Sequence, residues 1–133
     1  MTPFQVDVDT LARTVWAEAR GEGRQGMEAV AAVVMNRVAD RRWPDTAAAV
    51  CRQHAQFSCW LESDPNLPKL LAVDGDDAAF RTAYAIAAEA LAGTIEDRTQ
   101  GANHYFATSI PAPAWAKPDG WTCTIGHHRF YRL

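Results

Sequence analysis

Between residues 27 and 38 the apolar side chains Met27, Val30, Ala31, Val34, Met35 and Val38 recur three and four residues apart, the spacing of one helical face. Ala29, Ala32 and Val33 give the same helix a second apolar side made of small residues. A helix that is apolar on two sides has to be packed from both, so the rest of the chain is expected to fold around this one. Asn36 projects toward the second side and needs hydrogen-bond partners if it is buried. It is read first as a polar tie to a loop and second as a ligand contact.

The chain of 133 residues is long enough for one domain with a real core, held without metals or disulfide staples. A hydrophobic fraction of 48% with 22% charged residues is ordinary for a globular protein. Net charge is -3 and the basic residues form no run, which argues against a nucleic acid or an anionic membrane surface as partner. No apolar stretch approaches the roughly 20 residues that span a bilayer. Residues 1–7 lack the basic and then apolar pattern of a secretory signal. The expectation is a monomer made in the cytosol without a leader, delivered by another route if it acts outside.

Cys51, Cys59 and Cys123 cannot all pair with one another and are expected to be reduced, buried thiols. His104, His127, His128 and Cys123 fall in no recognised zinc-ligand spacing, so neither metal nor cofactor is expected. Nucleophile elbow, phosphate loop and dinucleotide fingerprint are all absent.

Chemistry points instead to Leu11-Ala12-Arg13-Thr14-Val15-Trp16-Ala17-Glu18-Ala19-Arg20-Gly21-Glu22-Gly23. A helix is predicted from Leu11, capped by Asp9 or Thr10. Leu11, Ala12, Val15, Trp16 and Ala19 share its buried arc, and Arg13, Ala17 and Arg20 lie opposite. Glu18 falls at the edge of that arc, beside Thr14. Gly21 is expected to end the helix in the left-handed conformation, leaving Glu18 in the last turn. The helix terminus and an apolar surround both push a carboxylic acid's pKa upward. That is what a general acid needs to hold its proton near neutrality. Arg20, folded back as an ion partner, would oppose it, and a merely half-buried, paired glutamate fits the local pattern equally well.

Downstream, residues 41–46 break the central helix and a short helix follows over 47–51. Gln56-Phe57-Ser58-Cys59-Trp60 sets two aromatics beside small polar groups, a mixture that suits a sugar, although aromatics are more often core. Residues 62–77 are rich in turn signals, and Asp74-Gly75-Asp76-Asp77 caps a helix over 78–92 that should bury Phe80, Tyr84, Ala87 and Leu91, leave Glu89 solvated and stop at Gly93. Residues 94–133 look like irregular loop, with at most a short strand or helix, wrapped over the helices.

Taken in order, three runs resemble the catalytic domain of the spore-cortex-lytic cell-wall hydrolases of the SleB and CwlJ type. They are the stretch from Leu11 to Glu22, Val30-Ala31-Ala32-Val33-Val34-Met35-Asn36-Arg37-Val38, and Gln56-Phe57-Ser58. The tail is similar too, through Gly101-Ala102, His104-Tyr105, Pro113-Ala114-Trp115-Ala116, Ile125-Gly126, His128 and Phe130-Tyr131. The resemblance implies a mainly α, small lysozyme-like (transglycosylase-like) single domain with an irregular C-terminal segment. It also implies peptidoglycan glycan strands as partner, cut between N-acetylmuramic acid and N-acetylglucosamine, with Glu18 as the essential glutamate.

Better-studied members are lytic transglycosylases, which manage with one carboxylate that is acid and then base. Glu22 is the natural rival or second carboxylate, or else a loop ion pair with Arg24 or Arg20. By the same resemblance Gln56, Phe57 and Ser58 line the cleft, with His104 and Tyr105 across from Glu18; Trp60 is assigned to the substrate site as the second aromatic of the 56–60 run. His128 is expected to hold the C-terminal segment by a buried hydrogen bond. Without the leader and wall-binding repeats of the spore members, the chain reads as a bare catalytic domain acting on the cell wall or periplasm, phage-encoded and released through a holin, or exported otherwise. Hydrolysis by a muramidase, a metal-dependent amidase and a non-catalytic wall-binding protein are the alternatives.

Overall fold

A computed structural model describes residues 1–53 and 56–133. Helices α1 (Pro3–Ala19), α2 (Gly23–Val38), α3 (Ala47–Arg52), α4 (Asn66–Ala72) and α5 (Ala78–Leu91) come first, with a short 3-10 turn at Ser58–Trp60. Strands β1 (His104–Ala107), β2 (Trp121–Ile125) and β3 (His128–Tyr131) follow. Among the described residues no helix is long and apolar enough to cross a membrane.

Helix α2 is packed from both sides. Met27, Val30, Ala31 and Val34 join Leu11, Val15, Leu70 and Ile86 in the main core, while Ala29 and Val33 meet Ala102 and Phe130 beneath the sheet. Val33 is fully buried, which is worth about 1.5–3 kcal/mol in transfer free energy. Asn36 is the tie its position suggested: its Nδ2 donates to Asp97 Oδ2 (2.9 Å) and to the Ala102 carbonyl (2.8 Å), fixing the segment that leads into β1.

Helix α1 starts eight residues earlier than the apolar pattern predicts. Thr2 accepts from the Gln5 amide and Gln5 bonds back to the Thr2 amide, a capping box with Pro3 in the first turn. The first turn is exposed and Val8 is the only apolar side chain buried in the second, so no apolar stripe marks them. Helix α4 lies where only turns were expected, and its single deeply buried side chain is Leu70.

Helix α5 has the predicted cap, Asp77 accepting from the Phe80 amide, but its buried face is rotated. Phe80, Ala83, Ile86, Ala87 and Ala90 are buried, whereas Tyr84 is 41% exposed. Alanines that look neutral in sequence make the close approach to α1 and α2. Glu89 pairs with Arg24 at 2.8 Å in an exposed bridge.

The tail holds more regular structure than the one short strand or helix expected of it. Its three strands form an antiparallel sheet in the order β1-β3-β2. Tyr105 pairs with Phe130 and Phe106 with Arg129, and β2 and β3 are joined by the tight Gly126-His127 turn, where Gly126 has φ 56°. Strands of four or five residues separated by a proline-rich loop leave too little alternation to read. The sheet buries Phe130 on α2 and leaves β1 as an open edge.

Candidate active site

Glu18 lies in the last turn of α1 and reaches Tyr105 of β1. Its Oε1 accepts the Tyr105 hydroxyl at 2.7 Å. Burial pushes the Glu18 pKa upward, helped by the negative charge of Asp64. The Tyr105 hydrogen bond and the Cys59 thiol oppose that, and the net result is a raised pKa. Arg20 does not compensate the charge. Its guanidinium donates to Asn66 Oδ1 (3.0 Å) and stacks 4.2 Å above Trp16. A desolvated carboxyl that, among the described residues, has no cation paired to it keeps its proton at higher pH than an ordinary glutamate.

Tyr105 is fixed by a ring of aromatics: Phe57 at 6.4 Å, Phe130 at 5.6 Å and His128 at 5.0 Å between centroids. Burial, and then the Glu18 charge, hold its phenol pKa well above the usual range, so it remains a hydrogen-bond donor. Glu18 and Tyr105 open onto a cavity of about 450 Å³. Gln56 and Ser58 line it from the segment after α3, and Phe106 and Ala107 line it from β1. Ile110, Pro113 and Trp115 come from the loop after β1, and His128 from β3. Gln56 is held from behind by Arg37, whose Nη1 donates to its Oε1 at 3.4 Å while Nε donates to the Asn103 carbonyl at 2.8 Å.

The other predicted site residues lie elsewhere. Phe57, 3% exposed, is a buried layer behind Tyr105. Trp60 packs on the core with its indole N–H donating to Thr14 Oγ1 at 2.8 Å, and the Arg52 guanidinium covers its ring. His104 bonds Asn103 Oδ1 through Nδ1 and faces Trp43 and Trp115; burial, then Arg37 and Arg42, lowers its pKa.

Glu22 neither lines the cavity nor pairs with an arginine. Its Oε1 accepts the His127 amide at 2.8 Å and its Oε2 meets His127 Nδ1 at 2.9 Å, an arrangement that lowers its pKa. The helix break also differs from expectation. Gly21 is not left-handed, whereas Gly23, the first residue of α2, has φ 73°. Glu22 is thereby swung away from Glu18 and onto the β2–β3 turn.

The loop contributors Ile110, Pro113 and Trp115 were missed as site residues. An exposed Ile110 beside Pro111 and two further prolines near Trp115 is the one signal that could have marked them. His128 was expected to make a buried hydrogen bond. Instead, among the described residues, its Nδ1 is buried without one, 3.6 Å from Glu22 Oε1, while the ring lines the cavity. Among the described residues no three His, Cys, Asp or Glu side chains gather closely enough to hold a metal ion.

The arrangement resembles known proteins across nearly its whole length. The spore cortex-lytic enzyme of Halalkalibacterium halodurans is 29% identical over 124 residues, covering 93% of this chain and 34% of that protein. That of Bacillus cereus is 28% identical over 128 residues, covering 95% and 44%. The chain thus spans less than half the length of these relatives. The crystal structure of the catalytic domain of Bacillus cereus SleB superposes with a TM-score of 0.75 at 28% identity, over 96% of this chain and 91% of that one. The catalytic domain of the germination-specific lytic transglycosylase SleB from Bacillus anthracis gives 0.77 at 27% identity, over 96% and 95%. The sequence model described as cell wall hydrolase matches residues 21–131. With that match over most of its length and the SleB catalytic-domain fold, the chain belongs to the cell wall hydrolase family.

Proposed function

We propose that the chain cleaves peptidoglycan glycan strands between N-acetylmuramic acid and N-acetylglucosamine, as a lytic transglycosylase in which Glu18 is the catalytic acid and then the base. One observation carries the reading: among the described residues Glu18 is the sole carboxylate lining the cleft, it is desolvated, and the rival Glu22 is turned onto His127. Glycosidases that hydrolyse with two carboxyls hold them about 5–5.5 Å apart for retention or 6.5–9.5 Å for inversion. A transglycosylase needs only one. The description of the Bacillus anthracis domain as a lytic transglycosylase supports the same chemistry.

Protonated Glu18 gives its proton to the bridging oxygen as the C1–O bond breaks, and the leaving sugar departs with a free hydroxyl. The cation left at C1 is stabilised by the substrate's own groups. Glu18, now a carboxylate accepting from Tyr105, takes the proton of the muramic acid C6 hydroxyl as that oxygen bonds to C1. The product is a 1,6-anhydro ring, no water is consumed, and Glu18 is protonated again. Tyr105 fixes the carboxyl and stabilises its ionised form between the two steps. Gln56 and Ser58 supply polar contacts to the sugar edge, and Trp115 offers a ring to pack against.

Mass spectrometry of muropeptides released from purified sacculi tests this. Wild type should release anhydro-muropeptides, and Glu18→Gln should release about 10²–10⁴-fold less, the usual worth of a positioned general acid, with unchanged thermal unfolding. Reducing ends in place of anhydro ends would make the enzyme a muramidase. Full activity in Glu18→Gln would remove Glu18 from the chemistry.

A further inference from the structure

A second cavity, of about 320 Å³, adjoins the cleft and shares Phe106 with it as a common wall. In the strand register Phe106 sits opposite Arg129, and Trp121 opposite Tyr131, so these four side chains occupy one face of the sheet. That face is turned away from Phe130 and α2. Ala112, Ala116 and Pro118, from the loop that also carries the cleft residues Pro113 and Trp115, roof it. Trp115 packs on both Phe106 (6.0 Å) and Tyr131 (5.4 Å), standing between the two cavities.

The walls are apolar and aromatic with one charged group. The Arg129 guanidinium lies 5.3 Å from the centre of the Trp121 ring, and Trp121 is 47% exposed. Among the described residues Arg129 makes no salt bridge and no side-chain hydrogen bond. Lys117 and Asp119, beside the roof in sequence, do not line the cavity. A guanidinium that rests over an indole and has no acceptor among the described residues keeps its donor fork free for a carboxylate. Low-dielectric aromatic walls strengthen that attraction.

We propose that this cavity binds the acidic peptide branching from the muramic acid residue held in the cleft, with Arg129 receiving a peptide carboxylate and Trp121 packing on the peptide's apolar groups. The assignment rests on the proposed glycan-strand activity. The same substrate molecule supplies both parts: the sugar chain lies along the cleft, and the peptide leaves the lactyl group on C3 of the same muramic acid ring whose C1 bond is cut. Two extended residues reach about 7 Å, enough to pass from one side of the Phe106 ring to the other. At the small end of the roughly 300–1,000 Å³ range for ligand pockets, the cavity suits a short peptide segment and not a second glycan strand.

The test compares glycan strands with their peptides intact and strands stripped by an amidase, using the whole protein. Wild type should show a KM at least about tenfold lower on peptide-bearing strands, the lower end of what a charged hydrogen-bonded pair contributes. Arg129→Gln should bring the ratio of the two KM values close to one, with Arg129→Lys in between. Independently of turnover, Glu18→Gln protein should sediment with intact sacculi more tightly than with stripped ones. Equal KM values for wild type, or a preference that survives Arg129→Gln, would overturn the proposal. Should Arg129→Gln not fold, the wild-type ratio and the sedimentation decide alone. Activity persisting in Glu18→Gln would instead defeat the underlying glycan-strand reading, whatever the peptide preference.

Discussion

Two glycines flank Glu22, and only one of them is held in a backbone shape that alanine resists. Gly23 has φ 73° while Gly21 lies outside the left-handed region, and a Cβ added at either meets nothing within 4 Å. Alanine at either position restricts the unfolded chain, stabilising by about 0.4–1 kcal/mol. At Gly23 it also incurs the left-handed strain of about 1–2 kcal/mol. The unfolded-state contribution is common to both variants and cancels in the comparison, as does any steric contribution. Gly21→Ala should therefore be more stable than Gly23→Ala by about 1–2 kcal/mol. At this chain length 1 kcal/mol corresponds to about 4 °C in Tm, so thermal unfolding should separate the two by about 4–8 °C. Gly21→Ala should melt at or above wild type. Coincident transitions, or Gly21→Ala as the weaker variant, would refute the placement of the break between α1 and α2.

Tyr105→Phe removes the hydrogen bond that lowers the Glu18 pKa and leaves the ring packing intact. Because the acid role proposed for Glu18 needs it protonated, the alkaline limb of kcat/KM against pH should move to higher pH; a limb that stays or moves down contradicts the role given to Tyr105. Glu22 has its pKa lowered, chiefly by the His127 hydrogen bond. Its ionised form thus contributes stability above the ordinary glutamate range, and that contribution is lost as pH falls through the lowered value. The gap in urea midpoint between wild type and Glu22→Gln should accordingly be open near neutrality and close on acidification, and a gap independent of pH would show that the carboxylate is idle. Trp60→Phe deprives the buried Thr14 hydroxyl of its donor; a loss of about 1–3 kcal/mol is expected by chemical denaturation, with KM on glycan strands unchanged if Trp60 serves the core alone.

The helical half of the fold was readable because its residues repeat every turn. The stripe through Met27 and Val34 located the central helix, and the small residues at Ala29 and Val33 announced a second packing partner without saying that it would be a sheet. Glu18 could be placed at the edge of the core by counting around the helix. What escaped was information carried by contacts distant in sequence. Trp60 and Phe57 have the composition of a sugar platform, yet the core claims both, and nothing local distinguishes the two uses of an indole. The place of Glu22 is not legible locally because its partner, the His127 amide, lies 105 residues away. The start of α1 escapes for the opposite reason: Thr2, Pro3 and Gln5 do carry the capping signal, but an exposed first turn gives no apolar repeat to draw attention to it.

The hydrogen bond between Tyr105 and Glu18 closes a loop of 87 residues. Local helices form early and cheaply, whereas closing so long a loop is delayed until the groups that reward it are in place. The acid can acquire its phenol only once β1 has docked, and β1 docks through β3, whose last residue is Tyr131. A ribosome-bound chain still lacking β3 therefore carries Glu18 as an ordinary, water-exposed side chain, however well its helices have formed. The activity proposed for Glu18 is thus withheld, by topology alone, until β3 has been made.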